Sequence, residues 1–128
     1  MDIRDAVEAD AERLATLTGA PTDVMRNLVH DRTVRVADAD DGVVGFVSYD
    51  AQGTTVHVTQ LEGDADLCER LLEEPTRFAE REGMSVELLV PDGDEAAHKA
   101  VERAAFEEHG PGPRFDGTTT TRYRWSPD

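Results

Sequence analysis

A chain of 128 residues is the length of one domain and can bury about two-thirds of its surface, so it needs no disulfide, and its one cysteine, Cys68, cannot form an internal bridge. The 28 Asp and Glu outnumber the 13 Lys and Arg, for a formal net charge of −15, and the sequence offers no basic stripe, which excludes nucleic acid as a partner. The N-terminus MDIRDAVEAD has neither the basic nor the apolar region of a signal peptide, and no apolar run approaches a bilayer span, which excludes the membrane and predicts a soluble, cytoplasmic protein.

In chain order, Ile3–Ala6 reads as a short strand. Asp10 is positioned to cap a helix over Ala11–Thr18, where Leu14 and Leu17 share a face and Gly19 stops the chain. Thr22 is positioned to cap a second helix with Val24, Met25, Leu28 and Val29 in one stripe. Three alternating segments, Thr33–Ala37, Val43–Tyr49 and Thr54–Thr59, predict an antiparallel meander with turns at Asp38–Gly42 and Asp50–Gly53. A helical pattern runs from about Asp64 to Glu82; Pro75 is expected to kink or split it, and Gly83 ends it. Met84–Val90 is a strongly apolar, central strand. Asp94 caps a helix expected over Glu95–Glu108, with Ala97, Val101 and Ala104 inward. After the break Gly110-Pro-Gly-Pro, Phe115 and Thr118–Trp125 read as a hairpin turning at Asp116–Gly117. The order β-α-α-β-β-β-α-β-α-β(β) predicts an α+β fold, a single domain over 1–128 with a twisted mixed sheet flanked by helices.

The acids alternate with apolar positions at helical and strand spacing, which fits a folded domain and not an acidic tail. Lys99 is the sole lysine; the other twelve cations are arginines. Many acids with almost no lysine suit a cytoplasm holding molar salt, where repulsion is screened to a range of about 3 Å.

The segment VHVTQLEGDADLCERLL, residues 56–72, carries an alternating strand through a polar turn into a helix. Free amides and a positive dipole end at such a helix start suit a phosphate. With the opening IRDAVEADAERLATL and the later DEAAHKAVERAAF, this segment resembles the GNAT superfamily of N-acetyltransferases over nearly the whole chain. The family pattern L-x-V-x-P-E-Y-R-G-x-G-x-G aligns without a gap from Val56 to Cys68, and N-x-x-A-x-x-x-Y-E-K-x-G-F aligns from Asp94 to Phe106.

The resemblance implies a cleft where the fourth and fifth strands splay, here Thr54–Gln60 and Met84–Val90. It implies acetyl-CoA as co-substrate along Val58, Thr59 and Gln60 and on the turn residues Gly63, Asp64, Ala65, Asp66, Leu67 and Cys68, with Asp94 at the family's Asn place. Gly63 stands at the family's Arg/Gln place, Asp66 and Cys68 at its two glycines, and Val101 at its proton-donating tyrosine. Asp64 and Asp66 are also good helix-start residues, stabilising as cap and dipole partners. The family's base is often a glutamate on the fourth strand; within Thr54–Thr59 the titratable side chain is His57, out of phase with Val56 and Val58. His57, and Tyr49 at the end of the preceding strand, are the candidate catalytic residues. Cys68 reads as a small packed residue. His30, His57, His98 and His109 lack metal-ligand spacing, so no metal is expected.

Three functions remain open. The first is an N-acetyltransferase acting on an amine of a small molecule or protein, with homodimerisation possible through an exposed hairpin. The second is a non-catalytic relative that has lost the pyrophosphate loop and general acid and binds a ligand or partner. The third is a ligand-sensing α+β domain outside the family.

Overall fold

The computed structural model describes residues 1–115 and 117–127. The elements are β1 (Asp2–Asp5), a 3-10 turn (Glu8–Asp10), α1 (Ala11–Thr18), α2 (Thr22–Asp31), β2 (Thr33–Ala39), β3 (Gly42–Gln52), β4 (Thr55–Glu62), α3 (Ala65–Glu82), β5 (Ser85–Pro91), α4 (Glu95–Arg103), β6 (Glu107–Pro111) and β7 (Thr120–Trp125). The strands form one sheet in the order β1-β2-β3-β4-β5-β7-β6. The β4–β5 pair is parallel and the other pairs are antiparallel, so the expected meander and mixed α+β sheet are both present.

Two apolar clusters hold the layers together. Leu14 of α1 and Met25 of α2 pack on Val34, Val36, Val43 and Phe46 on one face of the β2–β3 half. On the opposite face, Leu71 and Leu72 of α3 and Ala100 and Val101 of α4 pack on Val47, Val56, Val58, Val86, Leu88 and Val90. Each fully buried aliphatic side chain contributes about 1.5–3 kcal/mol, so these two layers fix which strand face is covered. The face of β4 and β5 opposite α3 and α4 carries His57 and Glu87, which lie side by side in register.

Five local expectations need correction. Asp10 adopts helical φ/ψ itself, −76° and −14°, and does not cap α1. Its carboxylate instead accepts the Val7 N–H at 2.8 Å and the Arg4 guanidinium at 2.9 and 3.0 Å, while Arg4 also reaches Asp38 at 3.0 Å. A charged donor outcompetes a capping amide. Thr22 likewise makes no cap; Pro21 holds that position and Thr22 is the first helical residue.

Pro75 does not split α3, which runs unbroken over 18 residues. Its ring is fully buried on the apolar face of the helix, and that burial offsets the missing N–H.

The helix over Glu95–Glu108 ends early, at Arg103. Ala105 takes the left-handed conformation, φ 65°, and the Phe106 N–H donates back to the Val101 carbonyl at 3.0 Å. This closes the helix as glycine usually does and frees Glu107–Pro111 to become β6.

The tail hairpin therefore differs from expectation. β7 pairs with β6, not with a strand at Phe115. Phe115 and Thr118 form only an isolated two-hydrogen-bond bridge, and Asp116 of the expected turn lies outside the described residues.

Candidate functional site

The parallel pairing of β4 and β5 runs from Thr55–Ser85 to Val58–Leu88, and no further pair follows among the described residues. The divergence has a local cause. Tyr49 faces Val58 and Ser48 faces Gln60, so Thr59 is an extra residue, a bulge. Thr59 Oγ1 is pinned to the Ser48 carbonyl at 3.2 Å and to Ser48 Oγ at 2.6 Å. A bulge bends its strand, and here β4 swings away from β5. Gly45 allows the end of β4 to come close: a Cβ there would strike the Glu62 carbonyl oxygen and lie 2.6 Å from Leu67 Cδ2.

A cleft of about 490 Å³ opens at this point. Residues 57–62 of β4 and 87–91 of β5 form its walls, Asp94 and Ala97 at the start of α4 close one side, and Phe115 and Thr120 close another. The strand edges expose backbone N–H and C=O groups into the gap, which any sequence supplies.

Of the sequence-predicted residues, the cleft gathers His57, Val58, Thr59, Gln60 and Asp94. Gly63, Asp64, Ala65, Asp66, Leu67 and Cys68 do not line it, although they follow directly on its rim at Glu62. Asp64 caps α3, accepting the Leu67 N–H at 2.8 Å, and Asp66 pairs with Arg103 at 2.8 Å. Ala65 and Asp66, the first two helical residues, keep amides that no helical carbonyl can reach. Gly63 has φ 145°, a conformation favouring glycine. Cys68 is buried; burial first, then the charges of Asp94, Glu62 and Asp64, push its thiol up to about 12, so it is not a nucleophile at neutral pH. Tyr49 is set apart from the cleft. It is buried on the α3 face, its ring 6.3 Å from that of Phe78, and burial raises its phenol further. Val101 is wholly buried in the α4 layer.

Glu62 is the residue the sequence reading missed. It is the last residue of β4, paired with Phe46 and so on the same face as His57, opposite α3. It lines the cleft. Burial, and then the nearby charge of Asp94, raise its carboxyl above the ordinary value of 4.5. A partly buried carboxylate with a raised pKa is a good proton acceptor near neutrality. The signal is the strand's length: the bulge at Thr59 breaks the period of two, so alternation alone ends the strand short of Glu62. No group of three or more His, Cys, Asp or Glu placed to hold a metal occurs among the described residues.

No sequence-family model matches the chain, and neither does any curated protein sequence. Solved structures do match. A Desulfovibrio desulfuricans protein assigned to the GNAT family of acetyltransferases superposes with a TM-score of 0.77 at 20% identity, covering 99% of each chain. A Salmonella typhimurium protein assigned to the acetyltransferases, solved with its cofactor acetyl-CoA, gives 0.82 at 17% identity over 100% of this chain and 94% of its own. The ribosomal-protein-alanine N-acetyltransferase of Brucella melitensis gives 0.80 at 17% identity over 98% and 99%. These likenesses establish the fold: the chain has the architecture of the GNAT acetyltransferases, a seven-stranded mixed sheet with four helices.

Proposed function

We propose that the protein is an acyl-CoA-dependent N-acetyltransferase that acetylates an amine of a small molecule or protein. The observation that carries this reading is the divergence of β4 from β5 at the Thr59 bulge, which opens a cleft beside a helix start with unshared amides.

The residues present fit acetyl-CoA in part by shape and in part through backbone groups. The gap beyond Val58–Leu88 suits a narrow arm held by main-chain contacts, and the Ala65 and Asp66 amides are placed for an anion. The carboxylates of Asp64 and Asp66 oppose that anion at about 1 kcal/mol each at surface dielectric, and molar salt screens most of it. Acetyl-CoA, when bound, supplies the thioester carbonyl that the amine attacks.

The chain's own residues then have separable roles. Glu62 accepts the proton of the incoming ammonium, directly or through one water. His57, on the same face of β4 and within the cleft, is placed to orient the amine or pass that proton on. Backbone N–H groups on the splayed strand edges orient the reacting carbonyl. Val101 is hydrocarbon at the place of the family's proton donor, so the leaving thiolate takes its proton from solvent. Tyr49 has no part in this scheme.

A second reading is favoured by one observation: the Asp64 carboxylate already occupies the Leu67 amide. It is a non-catalytic protein of the same fold that binds a ligand or partner. Calorimetry with acetyl-CoA and desulfo-CoA in molar KCl, followed by thiol release with a panel of amines, separates the two. Saturable binding with thiol release supports the transferase. Binding without release supports the second reading, and no binding at any salt removes the co-substrate from both.

A further inference from the structure

We infer that the acceptor half of the cleft takes an amine with an aromatic body and no carboxylate, and that Phe115 determines this preference. The inference rests on the transferase reading for its name, but concerns what occupies the open sheet face.

The segment between β6 and β7 is tied down where it meets the cleft. The Gly112 N–H donates to the Thr120 carbonyl at 3.0 Å, Thr120 Oγ1 donates to the Pro113 carbonyl at 2.6 Å, and Phe115 and Thr118 exchange two backbone hydrogen bonds. A Cβ on Gly112 would lie 2.5 Å from Thr120 Oγ1 and 2.9 Å from Leu89 Cδ2, so a larger residue here would have to displace those side chains where the segment crosses β5. The result presents Phe115 on the cleft wall with 55% of its surface exposed. An aromatic ring held open to water by a pinned backbone offers apolar surface that a ligand's own ring can cover.

The charges in the cleft point to the same occupant. Its titratable lining groups are Glu62, Glu87, Asp94 and His57, with no lysine or arginine among the described residues. Arg122 and Arg124, themselves outside the lining, hold the lining carboxylate of Glu87 at 3.2 and 3.4 Å, and Arg124 also binds Ser85, so Glu62 and Asp94 are the lining carboxylates left for an ammonium. An ammonium therefore meets carboxylates, while a carboxylate on the same ligand meets no lining cation. Apolar wall is supplied by Leu89 and Phe115 on this face.

The test uses four probes on the full chain: phenethylamine, butylamine, phenylalanine and 3-phenylpropionate. Binding is measured by calorimetry without CoA at about 1 M KCl, where screening beyond about 3 Å removes the general pull of a −15 surface on cations. Phenethylamine is expected to bind about fivefold tighter than butylamine, and the two carboxylate probes about tenfold weaker than phenethylamine. Phe115→Ala is expected to lower phenethylamine affinity about fivefold and to leave butylamine unchanged. Circular dichroism of the variant checks that the fold persists. Equal or tighter binding of the carboxylate probes, equal loss for both amines in Phe115→Ala, or no binding of either amine overturns the inference. The expected binding order without any acetyl transfer leaves this inference standing and sinks the transferase.

Discussion

At the scale of single residues, Glu62 and Ala105 carry the sharpest expectations. Glu62 has a carboxyl raised by burial and by Asp94. On its proposed role as proton acceptor, Glu62→Gln is expected to lower kcat/KM about a hundredfold or more, with folding retained. The acidic limb of the pH profile is then expected above 4.5, because Glu62 would have to be ionised to act and its folded-state pKa exceeds that value. The stability sign runs the other way. A raised folded-state pKa means that the ionised group costs stability at neutral pH, and the cost is lifted as the pH falls through that pKa. Glu62→Gln is therefore expected to raise the melting temperature at pH 7, and to raise it less as the pH falls. A variant both more stable and less active distinguishes a functional carboxylate from a structural one; loss of stability with activity kept would refute the role. Ala105 sits at φ 65°, a conformation that costs a residue with a Cβ about 1 kcal/mol. Ala105→Gly should gain about that much in urea denaturation, since glycine adopts the left-handed form freely.

At the scale of elements, the junction of β4 with α3 decides whether an anion can dock. Asp64 is a true cap, and Asp66 ties the helix start to Arg103 of α4. Removing both in Asp64→Gly/Asp66→Gly leaves the cap position to glycine, so stability falls by only a few tenths of a kcal/mol, by about 0.5 in all with the surface ion pair. Affinity for acetyl-CoA should rise, and rise most at low KCl, where the two carboxylates are least screened. Unchanged affinity at every salt, measured by calorimetry, would mean that no anion reaches this turn. The same junction shows how packing sets geometry: Gly45 in β3 leaves room for the Glu62 carbonyl and the Leu67 side chain together, which holds Glu62 at the lip of the cleft.

At the scale of the whole molecule, the charge of −15 is spread over every layer, and no helix among the described residues is long and apolar enough to cross a membrane. We read the near absence of lysine as suited to molar salt. Arginines are engaged widely: Arg4 with Asp10 and Asp38, Arg35 with Asp5 and Glu74, Arg122 and Arg124 with Glu87. These pairs offset only part of the repulsion, because exposed pairs contribute about 0–1 kcal/mol each. Thermal denaturation should therefore shift upward between about 0.1 and 2 M KCl as self-repulsion is screened. A melting temperature that is flat or falls over this range would show that the surface charge is no burden at low salt.

The sequence by itself determined the features that depend on near neighbours. Alternation at Val56 and Val58 placed His57 on the opposite face; Asp64 and Asp94 marked two helix starts; Gly19 and Gly83 marked two ends, both left-handed at φ 75° and 69°. The order of these elements was enough for the fold. Tertiary structure decided the rest, because it turns on partners far along the chain. The outer partner of β7 is Glu107–Pro111, legible only once Ala105 is seen to close α4. Pro75 stays within α3 with its ring fully buried on the helix's apolar face. The Glu62 carboxyl is raised by burial and then by Asp94, 32 positions away, and a bulge hides its strand from a period-two reading. A side chain's face is written in local periodicity, but its pKa and its company depend on which distant segments the sheet brings beside it.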